Sequence, residues 1–294
     1  MCKLSPRLCA FCLLACCFLC ACTARDAVVG RSFPSDPSEV QRGMQLVKGL
    51  AACGFCHGES PRPDAILSGG GKWFDQYGAV YASNITPART GIGDWSAEDI
   101  VQALRSSMRN DGEALSSGDV HSGFEWLTDR DALAIAAYLR SLPQVENRVR
   151  RREIGTIDRY TVGLFDTRAE IIGYVPHIPR RFQLELGKYL VDNVARCSAC
   201  HNSPGSLWSS AEYLAGGREI NRAGETKMAP DISASTGFGI GEWSEADIVS
   251  YLQTGATPQG REVDSRFCPV DFYRNADPND LSLVPSLKFL VRSY

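Results

Sequence analysis

Cys53-Gly-Phe-Cys56-His57 and Cys197-Ser-Ala-Cys200-His201 decide how this chain is read. Two thiols three residues apart, with a histidine directly after the second, form the attachment signal for c-type haem. The spacing has a chemical reason. One turn of backbone lets both thiols form thioethers with the two vinyl groups on one porphyrin edge, and it brings the next imidazole under the iron as proximal ligand. A lone CxxCH also suits a zinc or thiol-redox site. Two copies at matching places in a repeat point instead to two covalent haems, held by Cys53, Cys56, Cys197 and Cys200, with His57 and His201 on the irons.

The repeat extends well beyond these motifs. Arg42-Gly-Met-Gln-Leu-Val47 leads into the first motif and Leu186-Gly-Lys-Tyr-Leu-Val191 into the second. Leu67-Ser-Gly-Gly70 answers to Leu214-Ala-Gly-Gly217, and Tyr81-Ala-Ser-Asn-Ile85 to Met228-Ala-Pro-Asp-Ile232. Gly91-Ile-Gly-Asp-Trp-Ser-Ala-Glu-Asp-Ile-Val101 answers to Gly239-Ile-Gly-Glu-Trp-Ser-Glu-Ala-Asp-Ile-Val249. The offset drifts only from 144 to 148 residues, the mark of a tandem duplication with small loop changes rather than of a solenoid.

Within each half the pattern reads as helices, and strand-like alternation is scarce. Ser38 with Gln41 has the spacing of a capping box opening a helix that delivers Cys53. Ser96 with Asp99 and Ser244 with Asp247 open a middle helix in each half. Thr128 with Asp131 opens a helix that stops at Leu142-Pro143. Asp277-Pro278 makes the matching start in the second half, and Pro285 is placed to kink or shorten that last helix. The expected fold is all-α: two tandem domains over residues 33–143 and 181–294, joined by a linker over 144–180, each a set of three helices around a flat cofactor. Within the linker, the run Arg148-Val-Arg-Arg-Arg152 reads as a solvated charge patch, and residues 154–175 are candidates for packing between the halves.

At 294 residues and 44% hydrophobic, the chain is long enough to bury two such cores. A formal charge of −3 argues against a general nucleic-acid binder. The N-terminus reads as an export signal over residues 1–22: Lys3 and Arg7 precede an apolar run over 8–21, too short to span a bilayer comfortably. Leu19-Cys20-Ala21-Cys22 resembles the lipobox of bacterial lipoproteins, which makes Cys22 the lipidation candidate, with Cys16 as a rival and an ordinary cleaved signal as the other alternative. Seven of the twelve cysteines lie in this segment and four in the two motifs, leaving Cys268 alone, so no disulfide framework is present.

In these stretches the chain resembles the multi-haem cytochromes c that serve as electron-transfer subunits of periplasmic or membrane-associated alcohol and sugar-acid dehydrogenases. The resemblance rests on the Gly-x-x-Leu-Val lead into CxxCH, Asn84-Ile-Thr-Pro87, Thr90-Gly-Ile-Gly-Asp-Trp-Ser96, the Asp111-Gly112 turn and Leu127-Thr-Asp129 through Ala137-Tyr-Leu-Arg-Ser-Leu-Pro143. It implies a cytochrome c fold for each half, two haem c groups, and redox partners of the dehydrogenase, oxidase or soluble cytochrome kind. It also implies a place in the bacterial periplasm, held to the membrane by the lipid anchor.

Relatives carry a Met-Pro segment before the last helix, whose sulfur completes the iron coordination. This chain departs there. The matching stretches are Asp119-Val120-His121 and Cys268-Pro-Val-Asp271. For the first haem His121 is the natural substitute, with Met108 or an open, water-ligated iron as alternatives. For the second the candidates are Met228, which stands at a position that favours packing, Cys268, or no ligand. His177 sits in a Val-Pro-His-Ile-Pro linker and is a weak candidate. The expected function is the transfer of single electrons between a dehydrogenase or quinol-oxidising partner and a downstream acceptor. The alternative is a peroxidase-like enzyme or a haem-based ligand sensor, using an iron without a distal Met.

Overall fold

The computed structural model describes residues 36–75, 78–112, 115, 121–150, 171, 173–205, 210–222 and 224–286. The export segment, Cys16 and Cys22 lie outside the described residues, as do residues 151–170 of the linker. Residues Ser35–Tyr294 form one compact unit.

The element order repeats. The first half runs α1 (Pro37–Lys48), α2 (Gly54–His57), a hairpin β1 (Lys72–Asp75) and β2 (Gly78–Tyr81), α3 (Ala97–Ser106), a 3-10 turn (Phe124–Trp126) and α4 (Asp129–Ser141). The second runs α5 (Gln183–Tyr189), continued by a π-helical turn (Leu190–Val194), α6 (Cys197–His201), a hairpin β3 (Glu219–Arg222) and β4 (Glu225–Met228), α7 (Glu245–Thr254), α8 (Val270–Tyr273), α9 (Pro278–Leu281) and a 3-10 turn (Val284–Ser286).

Local chemistry explains most of the boundaries. Ser96 and Ser244 each accept the N–H three residues on, while Asp99 and Asp247 reach back to the cap N–H, so both capping boxes are complete. Thr128 caps α4 by accepting from Asp131 N, and the helix ends before Pro143, as expected. Asp277 caps α9 with Pro278 in its first turn. That helix stops at Leu281, and the chain resumes as the 3-10 turn around Pro285. The start of α1 differs from the Ser38 expectation. Pro37 takes the first helical position, where its missing N–H is no loss, so the cap falls on Asp36, whose carboxylate accepts from Ser38 N at 2.8 Å.

The all-α expectation needs one amendment. Each half carries a four-residue antiparallel hairpin, with Lys72 opposite Tyr81 in one and Glu219 opposite Met228 in the other. Strands this short hold too little alternation to register in a sequence pattern. The second hairpin also lacks an apolar face, since all four residues of β4 are exposed.

Helix α1 crosses α4, and α5 meets the last described turn, at equivalent glycines. A Cβ on Gly43 would stand 1.9 Å from Ala134 O, and one on Gly187 2.4 Å from Leu283 O. The glycine of the Gly-x-x-Leu-Val lead is therefore a contact point between the first and last described helical elements of its half. The apolar core is shared: Leu46, Leu50, Ile135 and Leu139 of the first half join Leu186, Leu190, Val270 and Leu281 of the second. An ionic cluster sits beside it. Arg42 donates through Nε to Asp131 at 2.8 Å and through Nη1 to Asp280. Tyr189 donates to Asp131 at 2.8 Å and Arg180 to Asp280 at 2.7 Å. Asp131 and Asp280 are buried, and they occupy equivalent positions in α4 and α9. One arginine thus binds the same carboxylate of both halves.

Candidate haem sites

Each CxxCH stretch is a short helix whose histidine is held by backbone on its far side. His57 Nδ1 lies 2.8 Å from Ser83 O, and His201 Nδ1 lies 2.8 Å from Pro230 O, the equivalent residue. A carbonyl only accepts, so Nδ1 carries the proton and Nε2 keeps its lone pair for a metal. Burial lowers the pKa of both imidazoles and keeps them neutral. The His57 and His201 carbonyls accept from Gly69 N and Gly216 N at 2.8 and 2.6 Å, fixing each motif to the Gly-Gly turn of its own half. Gly69 and Gly216 both have positive φ. Gly71 passes so close to the motif that a Cβ there would stand 2.0 Å from Cys56 O.

In the first half His121 faces His57. The two rings are 6.3 Å apart between centroids and tilted by 36°. His121 Nδ1 donates to Ala103 O at 2.9 Å, so its Nε2 is also free. Burial lowers the His121 pKa to about 3, with Arg196 and His57 adding to the effect. Two imidazoles bound on opposite sides of one metal, with bonds of about 2 Å, have ring centres roughly 6 Å apart. The pair has that separation. Phe124 packs on His121 at 5.9 Å, and the Arg196 guanidinium lies 4.2 Å above the Phe124 ring.

No histidine plays this part opposite His201. The four histidines of the chain are His57, His121, His201 and His177, and His177 is exposed. Tyr251 stands where the first half has Ala103, and it neighbours Cys268. Burial pushes the Cys268 thiol up to about 12, with the neighbouring Cys200 adding to it. Cys268 thus lies within the second site as a neutral thiol. Met228, for which packing was expected, is instead 57% exposed at the end of β4, two residues before the carbonyl that holds His201. Met108 is half-buried just past α3.

The residues present fit haem c. Cys53, Cys56, Cys197 and Cys200 are free thiols, and burial pushes the Cys53 thiol up to about 12 and the Cys197 thiol higher still. A zinc site would need further ligands converging on the motif, and no cluster of three or more His, Cys, Asp or Glu suited to a metal ion occurs among the described residues. Arg218 follows the Gly-Gly turn of the second half, and its buried Nε has no hydrogen-bond partner, a donor of the kind that a haem carboxylate satisfies.

The motifs gave no warning of the contacts between the two sites. Arg222 of β3 donates to Cys56 Sγ at 3.3 Å and stacks on Phe55 at 3.7 Å. Arg196, next to Cys197, donates to Ser122 O at 3.3 Å beside His121. The only linear hint is that both residues are cations next to site elements.

Homologues of this chain are cytochrome c subunits of fructose, alcohol and gluconate dehydrogenases, and a dihaem cytochrome c. The fructose dehydrogenase cytochrome subunit of Gluconobacter japonicus is 31% identical over 79% of this chain and 49% of its own length. The cytochrome c subunit of the quinone alcohol dehydrogenase of Gluconobacter oxydans is 28% identical, covering 75% of this chain and 48% of its own. A dihaem c-type cytochrome of Cereibacter sphaeroides is 25% identical over 78% of this chain and 79% of its own. The chain spans about half the length of most of the dehydrogenase subunits it matches. No family model matches it. No helix among the described residues is long and apolar enough to cross a membrane.

Proposed function

We propose that this chain is an exported dihaem cytochrome c that carries single electrons between a dehydrogenase or quinol-oxidising partner and a downstream acceptor. Residues 33–143 and 181–294 are its two haem domains and 144–180 their linker, with Cys22 lipidated and the mature chain held at the periplasmic face of a membrane. The observation that carries the reading is the pair of equivalent sites, each with a CxxCH helix, a Gly-Gly turn and a carbonyl-held histidine, one of them completed by His121.

Haem c supplies one-electron exchange at iron when bound. The protein's part is to hold it. Cys53 and Cys56, and likewise Cys197 and Cys200, fix the edge of each macrocycle, while His57 and His201 present Nε2. At the first site His121 presents a second Nε2 from the opposite side, which is the ligand assignment proposed there in preference to Met108. Two imidazoles favour the ferric state more than an imidazole with a thioether does, so this site belongs at the low-potential end. The ionic cluster and shared core tie the two halves together and would fix the placement of one haem site relative to the other.

A second reading comes from the second site, where no histidine stands opposite His201 and the neighbouring groups are Cys268 and Tyr251. It is an iron open to an external ligand, as in a haem sensor or a peroxidase-like enzyme. One experiment separates the two. The pyridine haemochrome of the purified full chain should give two haems c per chain, and the dithionite-reduced spectrum is then recorded with and without carbon monoxide. A spectrum unmoved by carbon monoxide is the outcome for a pure relay. A shift in half of the haem moves the function towards ligand binding at the second site. Absence of c-type bands would overturn the whole proposal.

A further inference from the structure

The two sites are joined by a side chain that belongs to neither motif. Arg222 ends β3 of the second half, yet it lies against the first attachment helix. Its Nη2 is 3.3 Å from Cys56 Sγ, its Nη1 is 3.4 Å from Phe55 O, and its guanidinium carbon lies over the Phe55 ring, 3.7 Å from the centroid. Phe55 in turn meets Phe272 of α8 edge-on at 6.1 Å. A Cβ on Gly54 would stand 3.1 Å from that same Phe272 ring. The first CxxCH helix is thus gripped from the second half by a cation and an aromatic ring. The equivalent residue of the first hairpin is Asp75, of opposite charge. Arg222 is also among the charges that act on Cys200, where burial pushes the thiol up and Arg196, Arg218 and Arg222 pull it down. Its charge therefore reaches the attachment edges of both sites.

We propose that Arg222 is the positioning residue that couples the two haem sites, locking the second hairpin onto the first attachment helix and placing a fixed cation at the Cys56 sulfur, where it raises the potential of the first haem relative to the second. The inference rests on the reading that both motifs carry haem. A cation beside a haem edge favours the reduced state, whose net charge is one unit less positive, and hydrogen bonding to a group bonded to the macrocycle is a recognised means of tuning it. The guanidinium suits the task because it lies over Phe55 while two separate nitrogens reach two acceptors, a spread that the single nitrogen of an ammonium group does not have. In the haem-bound protein Cys56 Sγ is a thioether, still a weak acceptor for this donor.

The test uses the full-length holoprotein with Arg222→Gln and Arg222→Lys, after haem content has been measured. The readouts are the two midpoint potentials from a spectroelectrochemical titration, together with hydrogen exchange of residues 219–228. Arg222→Gln should shift the equilibrium between the two haems roughly tenfold away from a reduced first haem, equivalent to about 59 mV for one electron. It should also speed exchange in the hairpin. Arg222→Lys should keep most of the potential difference but show the faster exchange, which separates the charge from the clamp. Two haems per chain with wild-type potentials in Arg222→Gln would overturn the coupling role while leaving the dihaem reading intact. Fewer than two haems in the wild-type chain would sink both. If Arg222→Gln fails to mature, unchanged hairpin exchange in Arg222→Lys would overturn the clamp by itself.

Discussion

The two halves of this protein share a plan and differ in what they set against the proximal histidine. Both present a CxxCH helix, a Gly-Gly turn bonded to the motif's backbone, and a carbonyl that holds Nδ1. In the first half a half-buried imidazole faces the proximal one, at 6.3 Å between ring centres. In the second, the Cys268 thiol beside Tyr251 occupies the neighbourhood and no imidazole is supplied. A duplicated scaffold can thus keep the attachment chemistry constant, because covalent geometry dictates it, while the opposite face of each pocket diverges. The second ligand is one lever on potential and the one that governs access, so divergence there changes function without disturbing the fold.

The contrast is broken most completely at His121. His121→Ala should turn half of the haem from low-spin to high-spin and let it bind carbon monoxide, making the first site resemble the second. An absorption spectrum that stays low-spin and indifferent to carbon monoxide would refute the assignment. The same residue gives a pH dependence. Burial holds His121 neutral in the folded state, and ligation through Nε2 would do the same, against a pKa of about 6.5 when unfolded. The stabilisation is therefore complete above pH 6.5 and is lost as pH falls below it. Denaturation midpoints recorded between pH 7 and 4 should decline more steeply for the wild type than for His121→Ala.

The next effect is on what the halves share. Arg42→Ala leaves the buried carboxylates of Asp131 and Asp280 without their common cation, a loss of about 3–5 kcal/mol for a broken buried pair. Urea unfolding should show it, and both haem environments should respond together, since the arginine serves α4 and α9 alike. A transition in which one haem site melts while the other keeps its wild-type midpoint would show that the halves are energetically separate.

The smallest effect sharpens the comparison within the shared plan. At Gly43 an added methyl meets backbone at 1.9 Å, whereas at Gly187 its nearest contact is the Ser286 hydroxyl, with the Leu283 carbonyl further off at 2.4 Å. Gly43→Ala should cost the protein about 1–3 kcal/mol through overpacking, and Gly187→Ala less. Equal losses of midpoint in thermal unfolding would mean that the two crossings yield to the same degree.

Much of the molecule was legible in the chain. The repeat shows as direct sequence correspondence, while the two short CxxCH helices, the paired capping boxes and the Pro143 stop arise from short-range chemistry, in which residues three or four apart meet on one turn of backbone. Asp131 and Asp280 were legible only as helix-start residues. Their second role, sharing Arg42 across 89 and 238 residues of sequence, depends on how α1, α4 and α9 pack. The hairpins were too short for a pattern. Met228 was read as a packing residue by analogy with Tyr81, but its strand lies on an exposed hairpin.

By itself the sequence determined where covalent chemistry is possible, because CxxCH spacing and helix caps are local and survive any tertiary arrangement. The position of His121 before the last helix of its half marked it as a candidate, but only the tertiary structure decided how distant groups meet those sites. It set His121 opposite His57 with both Nδ1 atoms engaged, left His177 exposed, and carried Arg222 from one half onto the Cys56 sulfur of the other. Those contacts come from long-range packing of α1 on α4 and of the two halves on one core, and nothing local in the chain fixes their geometry.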